Sequence, residues 1–94
     1  MEKIAHFNFI GDSLIGPNVN MEAGSIIANH RNENRDKEIM IYFENYIIKT
    51  GVEKFGAVVG AHSCIGANAV LAPGTIIFPD TNVERLALID QIPK

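Results

Sequence analysis

An apolar residue returns at about every sixth position of this chain, and this period limits the possible folds more than any other feature. In the C-terminal half these residues are Val59, Ile65, Leu71, Ile77, Val83 and Ile89. In the N-terminal half they are Ile4, Ile10, Ile15, Met21 and Ile27, with one step of five residues. Helices repeat at about 3.6 residues and strands at about 2, so neither element has this period. A fixed longer period indicates a repeat architecture.

A coil of triangular cross-section explains the period. Each hexad supplies one short strand and one turn, and three hexads close one coil. The apolar residue points inward, so Ile65, Leu71 and Ile77 should lie on three successive walls. The following residue is often Gly or Ala, and we expect it to be small because the chain bends there and Gly tolerates unusual backbone angles. We also expect most asparagines near the repeats to occupy turn corners, namely Asn8, Asn18, Asn20, Asn68 and Asn82.

The predicted fold is therefore all-β, a parallel β-helix built as a hexapeptide-repeat solenoid. The alternative is an antiparallel sandwich, which shows alternation of period two and turns every 8–12 residues or so. The constant hexad phase favours the solenoid, in which parallel strands stack coil on coil.

The hexads stop between Asn29 and Gly56, and this break predicts an insertion. Residues 31–38, "RNENRDKE", are polar and charged, while "IMIYF" and "YIIKT" are rich in β-branched and aromatic residues. These two segments predict a β-hairpin with a tight turn at Glu44-Asn45. We therefore divide the single domain, 1–94, into a first solenoid part (4–30), an inserted loop and hairpin (31–56) and a second solenoid part (57–91). The insertion is predicted to be a packing arm or an active-site loop, and one segment can serve as both.

Composition narrows the classes of partner. The formal net charge is −3 and the isoelectric point is about 5.5, which disfavours nucleic acid and anionic membrane surfaces as partners. The apolar runs fall far short of the ~20 residues that span a bilayer, and we see no leader before Ile4. A single cysteine, Cys64, fits a reducing compartment, so we expect a cytoplasmic protein. His6, His30 and His62 lack metal-ligand spacing, and we expect no metal.

The stretch "HFNFIGDSLIGPNVNMEAGSIIAN", residues 6–29, carries a more specific pattern. Its order is a histidine, an aromatic residue, Ile-Gly-Asp, Ile-Gly, Val-Asn, Glu-Ala-Gly and a closing asparagine. This stretch resembles the hexapeptide-repeat acetyltransferase domain of bifunctional N-acetylglucosamine-1-phosphate uridyltransferases and of related sugar-phosphate nucleotidyltransferases. The resemblance implies that the β-helix is left-handed, an exception to the usual right-handed crossover. It also implies acetyl-CoA as acyl donor.

The same resemblance assigns roles to individual residues. His6 matches the general base that takes a proton from the amine of an amino sugar as it attacks the thioester. The positions that match substrate-binding residues of the family are Phe9, Asn20, Asn29, His30 and Arg35. The small positions beside the coenzyme A arm correspond to Ala23 and Ala67. Two departures stand out, since Phe9 takes the place of a tyrosine and Glu22 that of a glycine.

Two classes of function follow. In the first, the protein transfers an acetyl group from coenzyme A to an amino sugar phosphate or similar amine, in clefts between the subunits of a homotrimer. In the second, it is a catalytically silent trimerising or regulatory module. Both predict a trimer, because a prism of this size has a narrow core and flat faces that gain stability from burial against neighbours.

Overall fold

The computed structural model describes residues 3–4 and 7–93, and these residues form strands, turns and loops without a helix. Every strand is short, as the hexad period requires. The strands are β1 (Lys3–Ile4), β2 (Phe9–Ile10), β3 (Leu14–Ile15), β4 (Asn20–Met21), β5 (Ile26–Ile27), β6 (Met40–Phe43), β7 (Tyr46–Lys49), β8 (Ala57–Val59), β9 (Cys64–Ile65), β10 (Val70–Leu71), β11 (Thr75–Ile77), β12 (Asn82–Val83) and β13 (Leu88–Ile89). Within the described part of the chain, no helix is available that could cross a membrane.

All strands outside the hairpin belong to three parallel sheets, which form the walls of the prism. Wall A contains β1, β4, β9 and β12; wall B contains β2, β5, β10 and β13; wall C contains β3, β8 and β11. Successive strands enter walls A, B and C in rotation, and each pairs with the strand one coil away. This connectivity is that of a three-walled parallel β-helix.

The inward residues build the core as predicted. Ile65, Leu71 and Ile77 lie in β9, β10 and β11, and therefore on three different walls. Ile27 pairs in register with Leu71 although the insertion separates them in sequence, so the stacking of coils continues across the break. Seven of the ten hexad positions with described side chains belong to the buried cluster, and the other three, Ile10, Ile15 and Ile89, are partly buried and pack against it. The hydrophobic column is thus the main source of stability.

Close packing explains the small residues after the inward positions, and the explanation from backbone angles is wrong. Gly16 and Gly66 do not have positive φ. A Cβ on Gly66 would lie 2.5 Å from the backbone nitrogen of Arg85, and a Cβ on Gly16 would lie 2.8 Å from that of Ala61. The next coil therefore leaves no space for a side chain at these positions.

The left-handed angles fall on other corner residues, and only two of the five asparagines are among them. Asn18 and Asn68 have φ values of 59° and 58°, which asparagine tolerates better than most residues. Asn20 and Asn82 instead lie in strands of wall A. The Asn8 side-chain amide donates to the Ser25 hydroxyl oxygen at 2.8 Å, so it joins two coils.

Buried hydroxyls occupy several of the small positions four residues after the inward ones. The Thr75 hydroxyl donates to the carbonyl of Ala72 at 2.6 Å, and the Ser63 hydroxyl donates to that of Phe78 at 3.1 Å. Each hydroxyl is thus paired with a backbone carbonyl, which makes its burial tolerable.

The insertion forms the hairpin β6–β7, which is antiparallel with a two-residue turn at Glu44 and Asn45. Both turn residues have positive φ, as a tight hairpin turn of the I′ type requires. Strand β6 contacts β11 of wall C, and the ring centroid of Phe43 lies 6.1 Å from that of Phe78. Strand β7 is exposed along its length.

A buried arginine joins the start of the insertion to the last coil. The Arg31 guanidinium donates to both carboxylate oxygens of Asp90, at 2.9 and 3.0 Å, and to the carbonyl of Pro73 at 3.1 Å. The hydrogen bond to Asp90 is the main cause that raises the pKa of Arg31. This bidentate contact fixes where the chain leaves the prism.

Candidate functional site

The three walls differ in the side chains that they present outward. On wall A the outward residues of the described side chains are Asn20, Cys64 and Asn82, which are paired in register. Outward positions on walls B and C are apolar in every described strand: Phe9, Ile26, Val70 and Leu88 on wall B, and Leu14, Val58 and Ile76 on wall C. Wall A is therefore the polar face of the prism, and the other two are apolar.

An open groove of about 440 Å³ lies on wall A and at the corner that leads to wall B. This volume is within the range of small-molecule sites. The residues that line it are Glu22, Cys64, Gly66, Asn82, Val83, Glu84 and Arg85. Gly66 leaves room at the centre, while the amide of Asn82 and the exposed thiol of Cys64 supply polar atoms.

One carboxylate organises the corner of this groove. Oε1 of Glu22 accepts a hydrogen bond of 3.0 Å from the backbone N–H of Ala67, one coil away. The same oxygen lies 3.7 Å from Nε of Arg85, whose side chain is 78% exposed. With Glu84, the lining carries two carboxylates and one guanidinium.

Three of the predicted site residues lie on or beside wall A. Asn20 is in β4, paired with Cys64. Ala23 and Ala67 occupy equivalent corner positions in successive coils, where the N–H of Asn68 donates to the carbonyl of Ala23 at 3.1 Å. The structure therefore brings Asn20, Ala23 and Ala67 to the same side of the prism.

The other four described residues lie elsewhere, and none of the seven described site residues is in the lining of the groove. Phe9 is half exposed on wall B. Asn29 follows wall B and donates to the Asp12 carboxylate at 2.7 Å, while Nδ1 of His30 is 2.7 Å from Oδ1 of Asn32. Arg35 is exposed in the insertion. Within one chain, the predicted substrate residues do not form a single pocket.

His6, the predicted general base, lies outside the described residues. Its role remains a prediction from the resemblance, as do the roles of the substrate and cofactor residues.

The hexad pattern contains a signal for the groove that the prediction of site residues did not use. When one coil is aligned on the next, Asn20, Cys64 and Asn82 fall in one column, and Ala23, Ala67 and Arg85 fall in another. The hexad spacing alone aligns Cys64 with Asn82 and Ala67 with Arg85, whereas Asn20 and Ala23 join these columns only when the coils are matched across the insertion.

A second cavity, of about 270 Å³, lies between the insertion and the C-terminal end, where Arg31 and Asp90 form its wall. The guanidinium of Arg31 already donates to the carboxylates of Asp90 and Glu33 and to the carbonyl of Pro73.

The described residues contain no group of three or more histidine, cysteine, aspartate or glutamate side chains placed to hold a metal ion.

Comparison with known proteins gives relatives for almost the whole chain. A bifunctional sugar-1-phosphate nucleotidylyltransferase/acetyltransferase of Sulfurisphaera tokodaii is 39% identical over 89 residues, which are 95% of this chain and 22% of that protein. The bifunctional protein GlmU of Methanococcus aeolicus is 39% identical over 88 residues, 94% of this chain and 21% of that protein. The bifunctional protein GlmU of Synechococcus sp. is 40% identical over 92 residues, 97% of this chain and 16% of that protein.

The resemblance predicted from residues 6–29 is thus confirmed and extends over nearly the entire chain. The chain spans about a fifth of the length of these relatives. No family model matches it.

Proposed function

We propose that this chain is an acetyltransferase module that moves an acetyl group from coenzyme A to an amino sugar phosphate or a similar amine. The observation that carries the proposal is its similarity, over 95% of the chain, to a relative named as a sugar-1-phosphate nucleotidylyltransferase/acetyltransferase. Such names favour acyl transfer over a silent trimerising or regulatory module. The proposal assigns this chain to the acetyltransferase part of those bifunctional relatives, with a left-handed coil.

In the proposed reaction, His6 is the general base. It takes a proton from the acceptor amine while the nitrogen attacks the carbonyl carbon of the thioester. A C–N bond forms, the C–S bond breaks, and the thiolate leaves and takes up a proton. Histidine suits this role because its unperturbed pKa lies near neutral pH. Asn20 and Asn29 hold the acceptor, and Phe9, His30 and Arg35 complete its surroundings.

The acyl donor occupies the wall A groove in this proposal. The groove has about 440 Å³ of space, enough for the extended arm of coenzyme A, and its lining includes the polar atoms of Asn82 and Cys64. Ala67 follows Gly66 of this lining, and the carbonyl of Ala23 accepts a hydrogen bond from Asn68, so both alanines lie near the groove with only methyl side chains.

The proposed active unit is a homotrimer with its sites between subunits. The apolar outward rows of walls B and C support this arrangement, since Leu14 is 67% exposed and Leu88 is 68% exposed in the single chain. Apolar surfaces of this kind mark interfaces between proteins. A neighbouring prism packed on wall B would also lie beside Phe9 and Asn29, which share no pocket with wall A within one chain.

A thioester-consumption assay with acetyl-CoA and glucosamine 1-phosphate tests the reaction. The wild type should release free coenzyme A, and His6→Ala should slow turnover by at least about 100-fold, the usual contribution of a general base. His62→Ala is the matched control and should retain full activity. Wild-type protein without turnover, or His6→Ala with unchanged turnover, would reject the proposal.

Light scattering tests the assembly. The wild type should have three times the monomer mass, and Leu14→Glu combined with Leu88→Glu should shift it to the monomer. Asn82→Glu, on the polar wall, should leave the mass unchanged. A monomeric wild type would contradict the proposed trimer.

A further inference from the structure

The N–H groups at one corner position of each turn are not needed by the coil. This position lies two residues after an inward residue, and at three corners it is occupied by Pro17, Pro73 and Pro79. Proline has no backbone N–H to donate. The coil therefore closes without a hydrogen bond from this position, and a residue other than proline there has an N–H that is available to another group.

Ala67 holds the equivalent position at the corner between walls A and B, beside the groove. Its N–H donates to Oε1 of Glu22 at 3.0 Å, so a side chain from the preceding coil occupies the donor. The same oxygen also faces Arg85, at 3.7 Å from its Nε. Glu22 thus occupies the amide and lies beside the guanidinium, and these are the donors that a ligand oxygen would meet at this end of the groove.

We propose that Glu22 is a specificity-determining residue of the groove, acting as an internal substitute for ligand oxygen. A ligand can bind the N–H of Ala67 only by displacing the carboxylate, and that displacement lowers affinity for ligands that carry carbonyl or anionic oxygens. This inference rests on the proposed function, which places the acyl donor in the groove. It adds that the chain's own carboxylate weakens donor binding.

The side chain is suited to such displacement. The Glu22 side chain is 40% exposed, and its contact with Arg85 is a single long one, so water is ready to replace both interactions. Its backbone, by contrast, is fixed, because the N–H donates to the carbonyl of Ile65 at 2.9 Å and the carbonyl accepts from Ser25. Only the side chain has to move.

Calorimetric titration with coenzyme A, and with pantetheine as a probe without phosphates, tests this inference on the full chain. Glu22→Ala should bind both probes about three to ten times more tightly than the wild type, the gain expected from one released hydrogen-bond donor. Glu22→Gln keeps an oxygen for Ala67 and should bind like the wild type. Glu53→Gln removes an exposed carboxylate of the insertion that does not line the groove, and should change affinity by less than about twofold. Glu22→Gly provides the same test should Glu22→Ala fail to fold.

The inference is overturned if Glu22→Ala binds no more tightly than the wild type, if no variant binds either probe, or if Glu53→Gln produces the same gain. The turnover assay separates this outcome from a failure of the proposed function. If the wild type turns over but Glu22→Ala binds the probes with unchanged affinity, the proposed function stands and the role of Glu22 is rejected.

Discussion

Two arginine–carboxylate pairs of this chain have the same chemistry and different surroundings. Arg31 binds both oxygens of Asp90 at 2.9 and 3.0 Å, and its side chain is only 10% exposed. Arg85 makes one contact of 3.7 Å with Glu22, and its side chain is 78% exposed. Water weakens the second pair far more than the first, because exposed charges are screened and stay hydrated.

The difference separates a structural contact from an adaptable one. The Arg31–Asp90 pair holds the start of the insertion against the last coil. Its two side chains are only 10% and 23% exposed, so water has little access to them. The Glu22–Arg85 pair lies in an open groove, where either side chain can exchange its partner for water or a ligand. Substitutions in the two pairs should therefore differ in their effect on stability.

The largest effect is expected from Arg31→Leu. This change removes the guanidinium from the partly buried carboxylate of Asp90 and from the carbonyl of Pro73, which should lower the free energy of unfolding by about 2–4 kcal/mol. Denaturant titration measures it. The matched control is Arg35→Leu in the same insertion, which should change stability by less than about 0.5 kcal/mol because Arg35 is exposed. Equal effects of the two changes would contradict the structural role of Arg31.

A double-mutant cycle sharpens this result. Arg31→Leu and Asp90→Leu should each destabilise the chain, but the double variant should cost less than their sum, with a coupling energy of about 1–2 kcal/mol. The reason is that removing both partners leaves no uncompensated charge. Additive effects in the same denaturant titrations would show that the pair contributes no interaction of its own.

A smaller effect is expected in acid. The pKa of Glu33 is lowered, mainly by a hydrogen bond from its own backbone N–H and further by Arg31. A carboxyl with a lower pKa in the folded state contributes stability above its unfolded pKa and loses it as pH falls through the folded value. Glu33→Gln should therefore lose less stability than the wild type between about pH 5 and pH 3 in thermal melts. The raised pKa of Arg31 has no effect there, because its contribution is lost only in strongly alkaline solution.

The six-residue spacing of the inward residues is sufficient to predict most of the fold. Positions six apart define which residues point inward, and three short strands joined by turns close one triangular coil. The assignment of Ile65, Leu71 and Ile77 to separate walls is correct. The hairpin turn at Glu44 and Asn45 is equally predictable, since few residues accept positive φ in succession.

The tertiary contacts of the insertion are not predictable in the same way. In the sequence, Arg31 is one residue of a polar loop. Nothing near it in the sequence indicates that it contacts Asp90, which lies far along the chain. Glu22 stands out in the sequence only as a departure from the family. That its carboxylate binds the N–H of Ala67 depends on the register between two coils, and a one-residue shift in that register would abolish the contact. Periodicity determines the columns of side chains, whereas the interactions between columns depend on how the coils meet.

The smallest effect is expected from Arg85→Ala. Its guanidinium is exposed and makes a single long contact with Glu22, so the free energy of unfolding should change by less than about 0.5 kcal/mol in denaturant titration. Raising the salt concentration should not alter the difference from wild type by more than the error of measurement, since little attraction remains to be screened. A loss comparable to that of Arg31→Leu would mean that this pair is also structural. Glu22 would then be held in place by Arg85 and would not be free to leave the N–H of Ala67 for a ligand.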